Sequence, residues 1–171
     1  MFRPAATLLI GALAAVLAGC ASEVAPPEQP TFYRSMASPA AELDATTAAS
    51  MITGYRQNNG LGAVTVDPAL MQMAQAQAQA MAARDKVEND AKGAFAKRMK
   101  AAGFDQKSAV ENISAGYHTL AEAFSGWRDS PPHRANMLKV GVTRMGIAAV
   151  YQPSSKYKVF WALIMAAPEA S

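Results

Sequence analysis

With one cysteine in 171 residues, Cys20 has no second thiol in the chain to pair with, which excludes a fold stapled by disulfides. Charge is scarce as well. Sixteen Lys and Arg against 13 Asp and Glu leave a formal net charge of +3, and only 17% of residues are charged. No basic stripe with interleaved aromatics is present, so the chain lacks the electrostatic footprint of a nucleic-acid binder. The motifs of an activated serine or a zinc peptidase, Gly-x-Ser-x-Gly and His-Glu-x-x-His, are missing. Internal repeats are absent too, apart from a short Gln/Ala alternation over residues 75–80. The near-continuous apolar stretch at residues 5–16 falls short of the roughly 20 residues that a membrane-spanning helix requires.

What remains is a chain that is 51% hydrophobic and long enough for one domain. Part of that excess lies in residues 1–19. Arg3 precedes the apolar stretch, and Leu17-Ala18-Gly19-Cys20 closes it with small residues, the order expected of an export signal. Setting it aside leaves ordinary globular composition. Leu-Ala-Gly-Cys also resembles the lipobox of bacterial lipoproteins. That resemblance implies cleavage before Cys20, a thioether-linked diacylglycerol on its sulfur and a further acyl chain such as palmitate on its freed amino group. Ala21 in the next position resembles the outer-membrane sorting pattern. Acyl chains bury about 0.8 kcal/mol per methylene, enough together to hold a protein on a membrane without a transmembrane helix.

Residues 20–43 carry Pro26, Pro27, Pro30 and Pro39 with no sustained period, which predicts an extended spacer ahead of a domain at residues 44–168. Asp44 then caps a predicted helix that ends near Asn58-Asn59-Gly60. Asp67-Pro68 starts a second helix that runs to about residue 83. On it Gln72, Gln75 and Gln79 form one stripe, opposite Leu70, Met73, Ala74 and Met81. Gln77 falls within the apolar face, about 140° from Gln72, which predicts a buried amide in need of partners.

A third helix is expected over residues 91–102, closed by Gly103. Residues 110–117 read as strand or irregular chain. Leu120, Ala123, Phe124 and Trp127 recur at i, i+3, i+4 and i+7 on a fourth helix, and Pro131-Pro132 ends it and opens a short fifth one through Leu138. Two strands, 145–151 and 158–165, flank a Gln-Pro-Ser-Ser-Lys turn, and the second is apolar enough to be covered on both faces. The pattern predicts an α+β fold with helices around a small, mostly antiparallel sheet.

Glu111-Asn112-Ile113, the Trp127 helix, Ser130-Pro131-Pro132-His133-Arg134-Ala135-Asn136 and Met145-Gly146-Ile147 together resemble the signature of the CAP superfamily. This superfamily, also called SCP, comprises cysteine-rich secretory proteins, antigen 5 and pathogenesis-related proteins. The resemblance covers residues 45–166 and implies an α-β-α sandwich. It also implies a cleft with two histidines and one or two glutamates that binds a divalent metal in some members. His133 matches the second histidine and Glu111 the glutamate of the Glu-Asn block, whereas Gln77 stands where the family's first histidine belongs. The second glutamate position falls on Asp129 or Ser130.

A glutamine amide is a weak neutral ligand beside the imidazole and thiolate donors that zinc favours. The expectation is therefore no tightly bound metal, with weak divalent binding left open at Gln77, Glu111 and His133. His118, the other histidine, is expected in an exposed turn. Glu111 is expected to hydrogen-bond His133, Asn112 to cap a turn, Arg134 to meet a carboxylate, and Trp127 and Phe124 to serve the core. The functional expectation is a noncatalytic, lipid-anchored binding or scaffold module facing the periplasm, whose partners are the membrane, through its anchor, and an unidentified envelope ligand or protein. Two alternatives stand beside it: an envelope hydrolase with Glu111 and His133 as acid and base, and a divalent-metal binder.

Overall fold

Asp44 caps the first helix as its position predicts, its carboxylate accepting from Thr47 N at 2.9 Å, and α1 runs Ala45–Gln57. In the computed structural model of the chain, residues 29–89 and 95–167 are described. The expected signal, Cys20, the first part of the spacer and residues 91–94 of the third helix lie outside them. From Thr31 onward the proline-rich segment lies on the domain: a 3-10 turn spans Thr31–Tyr33, and Met36 is buried in the core with its N–H donating to His118 O.

A two-residue strand, β1 (Thr65–Val66), leads into α2 (Pro68–Arg84), which Asp67 caps through the N–H groups of Ala69 and Leu70. Next come α3 (Phe95–Ala101), β2 (Val110–Ala115), α4 (Leu120–Asp129) and α5 (Pro131–Met137). The hairpin β3 (Arg144–Tyr151) and β4 (Val159–Ala166) completes the order. Residues 110–117, open between strand and irregular chain in the sequence, thus form a strand as far as Ala115. Gly103 adopts the positive φ of 76° suited to ending α3. Reciprocal hydrogen bonds between Thr119 and Glu122 fix the start of α4 in a capping box.

The sheet order is β1-β3-β4-β2, with β1 parallel to β3 and the other pairs antiparallel. Every residue of β4 is buried, because successive side chains enter two different cores. Val159, Trp161, Leu163 and Met165 pack with α1, α4 and α5, where Trp161 meets Trp127 edge to face at 6.4 Å. Phe160, Ala162, Ile164 and Ala166 pack with Leu70, Ala74 and Met81 of α2 and Met99 of α3. The result is the α-β-α sandwich, with α2 and α3 on one face and α1, α4 and α5 on the other. Trp127 is buried and Phe124 packs against the same core, as expected of core residues.

Candidate functional site

The Glu-Asn block lies on β2, an edge strand, and the register fixes where each side chain goes. Glu111 stands opposite Ile164 and Asn112 opposite Leu163. Directly paired residues share a face, so Glu111 belongs to the α2/α3 side and Asn112 to the α4/α5 side. The two adjacent motif residues therefore do different work.

Asn112 is 1% exposed. Its Nδ2 donates to His133 O at 2.9 Å, and its Oδ1 accepts from Asn136 Nδ2 at 2.9 Å. Asn136 Nδ2 also donates to Glu111 O at 3.0 Å. Instead of capping a turn, Asn112 ties α5 to the sheet edge, because its short amide reaches His133 and Asn136, which lie about one helical turn apart. Arg134 donates to a carbonyl, that of Arg128, at 3.4 Å, and acts on the expected carboxylate, that of Asp129, through its charge and not through a direct hydrogen bond among the described residues.

On the other face, Glu111 Oε1 lies 3.3 Å from Arg98 Nη2, with the two side chains 6% and 15% exposed. Arg98 comes from α3, where Phe95, Arg98 and Met99 fall at i, i+3 and i+4 on the inner side, and its guanidinium sits 5.4 Å from the Phe95 ring centre. That spacing was the available sequence signal for Arg98, hidden among the exposed Lys97 and Lys100. Arg98 also borders an open surface groove of about 480 Å³ between α2 and α3, along with Gln72, Met73, Ala76, Ala101 and Ala102.

Gln77 is fully buried, as its place on the helix predicts. Its Nε2 donates to Glu88 O at 2.9 Å, while Oε1 finds no hydrogen-bond partner among the described residues. The bond is possible because Asp85, at φ 50°, turns the chain back over α2, and the Asp85 carboxylate accepts from the Ser155 hydroxyl. Beside it, Lys86 and Arg84 hold the Glu88 carboxyl below its ordinary pKa.

His133 is half-buried on α5, and that burial lowers its imidazole pKa. Among the described residues no hydrogen bond joins Glu111 to His133; Arg98 is the residue seen at the carboxylate instead. Gln77 and Glu111 share one face of the sheet, and His133 approaches from the helix on the other. Asp129 forms an exposed ion pair with Arg128, and Ser130 precedes α5 as its cap residue. His118 is exposed, its backbone N–H donating to Glu122 Oε2.

These donors do not fit a divalent cation. Gln77 presents a neutral amide already bonded through its nitrogen, and Glu111 already faces a positive group. Among the described residues no three His, Cys, Asp or Glu side chains come close enough to share an ion.

Helices on both faces of a four-stranded mixed sheet, with a Glu-Asn edge strand tied to a His-Arg-x-Asn helix, define an SCP-type α+β domain. The chain belongs to the cysteine-rich secretory protein family, CAP, whose model matches residues 49–165. It is 28% identical over 142 residues to the uncharacterized protein YkwD of Bacillus subtilis (strain 168), a match spanning 75% of this chain and 55% of the relative. The chain thus spans about half the length of that relative.

Among solved structures, it is similar to an outer surface protein of Borrelia burgdorferi, at a TM-score of 0.64 and 15% identity over 73% of this chain and 92% of that one. It is also similar to an extracellular protein containing an SCP domain from Bacillus anthracis str. Ames, at a TM-score of 0.60 and 21% identity over 71% and 39%. At such identities the likeness is one of fold.

Proposed function

We propose that this CAP domain is a lipid-anchored, noncatalytic binding or scaffold module on the periplasmic side of the cell envelope, held in the outer membrane through Cys20. The observation that carries the noncatalytic part is the Arg98–Glu111 ion pair. A hydrolase that used Glu111 and His133 as its acid and base would need that carboxylate and imidazole within reach of one reacting group. Here the carboxylate faces a guanidinium, and no hydrogen bond links it to His133 among the described residues. Asn112 and Asn136 are engaged with each other and with backbone carbonyls, which favours a supporting role for the motif residues.

The anchor rests on Leu17-Ala18-Gly19-Cys20. No helix among the described residues is long and apolar enough to cross a membrane, and acyl chains on Cys20 would provide the attachment instead. An envelope location agrees with the names of the structural neighbours, one an outer surface protein and one extracellular. The partner is an envelope protein or ligand, bound without a cofactor.

The test is cell fractionation of wild type and Cys20→Ala, followed by incubation of the purified proteins with peptidoglycan. The wild type is expected in the outer-membrane fraction and the variant in the soluble periplasm. A variant that stays in the membrane pellet overturns the anchor. Peptidoglycan is expected to remain intact; cleavage by wild type that His133→Ala abolishes would establish the hydrolase reading instead.

A further inference from the structure

A carboxylate as buried as that of Glu111 requires a positive partner. In a domain whose family resemblance implies a metal cleft, that partner would be a divalent ion held by Glu111 and two imidazoles. This chain differs at two places that bear on the same need. Gln77 replaces an imidazole with an amide that donates to Glu88 O, and Arg98 brings a guanidinium to 3.3 Å from Glu111 Oε1. Arg98 stands on the α2 side of the sheet as well, lining an open groove with Met73 and Ala76, the turn that leads into Gln77.

We infer that Arg98 is the resident cation of this cleft, replacing a divalent metal as the counter-charge of Glu111 and making the site metal-independent. The charge arithmetic supports a choice between the two cations. A divalent ion entering beside Glu111 would meet the Arg98 guanidinium 3.3 Å from the same carboxylate, in a place with little water to screen the repulsion between the two cations. A metal can enter only if the guanidinium leaves. The planar fork of Arg, stacked near the Phe95 ring at 5.4 Å, suits a fixed and permanently charged partner. Gln77 fits the same arrangement, because an imidazole that protonates would place a second positive charge on this face, and an amide does not. The inference stands whether or not the domain is an envelope scaffold, since it concerns only what neutralises Glu111.

The experiment uses the protein free of any histidine tag and stripped with a chelator. Zinc is titrated calorimetrically, and thermal midpoints are read with and without chelator, for wild type, Arg98→Gln, Arg98→Gln/Glu111→Gln and Gln77→His/Arg98→Gln. Wild type is expected to show no zinc binding at about 100 μM and no shift with chelator. Arg98→Gln is expected to melt lower, and adding Glu111→Gln to recover most of that loss, because the orphaned charge is gone. Gln77→His/Arg98→Gln is expected to bind zinc at least tenfold tighter than wild type, and to lose that binding when Glu111→Gln is added. Micromolar zinc binding by wild type, an unchanged midpoint in Arg98→Gln, or no recovery on removing Glu111 would each overturn the inference. Should Arg98→Gln fail to fold, Arg98→Lys replaces it, with a folded, zinc-indifferent protein expected and zinc-dependent folding decisive against.

Discussion

Arg56 carries a positive charge into the core, 1% exposed, and meets carbonyl oxygens there. Its Nε donates to Gly62 O at 2.9 Å, Nη1 to Met137 O and Lys139 O at 2.9 Å, and Nη2 to Val142 O at 3.2 Å. Two of these carbonyls lie at the end of α5, where the helix dipole favours a cation, and the loss of hydration lowers the guanidinium pKa. One side chain thereby joins α1 to the α5–β3 loop. Arg56→Met keeps the bulk but removes the donor from four carbonyls, of which those of Met137 and Val142 are buried, at about 1–3 kcal/mol for each buried group left unsatisfied. Arg56→Lys keeps the charge without the fork. We expect the urea midpoint to fall for both, with Met the lower and a total cost of at least about 3 kcal/mol. A midpoint for Arg56→Met within error of wild type would refute this role.

Gln77 was legible in the sequence because it broke a helical period, whereas Arg56 and Arg98 were not. A buried arginine that bonds to backbone carbonyls leaves no partner residue to search for, and an ion pair between α3 and β2 joins positions 13 apart that no local spacing links. Glu111 and Asn112 were recognised as a motif, but the assignment of one to each face of the sheet needed the register against β4.

Among elements, the close contact of α2 with β3 depends on a missing side chain. A Cβ on Gly146 would come 2.1–2.3 Å from the backbone of Leu70 and Met71, so the first turn of α2 rests directly on the strand. Gly146→Ala must lift α2 or bend β3, and backbone yields less readily than side chains. Overpacking of this kind costs about 1–3 kcal/mol and sometimes more. Gly62→Ala, which meets nothing within 4 Å, serves as the control. The thermal midpoint of Gly146→Ala should fall by several degrees while that of Gly62→Ala stays near wild type; equal midpoints would show that α2 adapts at no cost. The helices and the β3–β4 hairpin were readable because their caps and apolar periods are local. The two-residue β1 carries too little pattern to be found, and the docking of Thr31–Leu43 depends on Met36 entering a core that only the folded domain provides.

For the whole molecule, two cores share β4, so loss of either face should unfold both, and acid provides a graded way to approach that transition. Burial lowers the His133 pKa. The unfolded chain therefore takes up a proton near the ordinary imidazole value of about 6.5 while the folded chain does not. Stability attributable to His133 is complete above that value and is lost as pH falls toward the lower folded pKa. Asp44 is shifted in the direction that acts at more acidic pH: hydrogen bonds from the Thr47 and Thr31 hydroxyls and the Thr47 N–H hold its carboxyl below the ordinary value. Its contribution is present above about pH 3.9 and disappears below it. Glu88 and Asp129, held down by their basic neighbours, act in the same sense. Urea midpoints measured from pH 8 to 3 should thus be level above pH 7, begin to decline below about 6.5, and drop further below about 4. In His133→Gln the first decline should shrink and the acid limb should persist. A wild-type midpoint that rises on acidification from pH 7 to 5 would mean that His133 is better protonated in the fold than out of it, contrary to its buried position on α5.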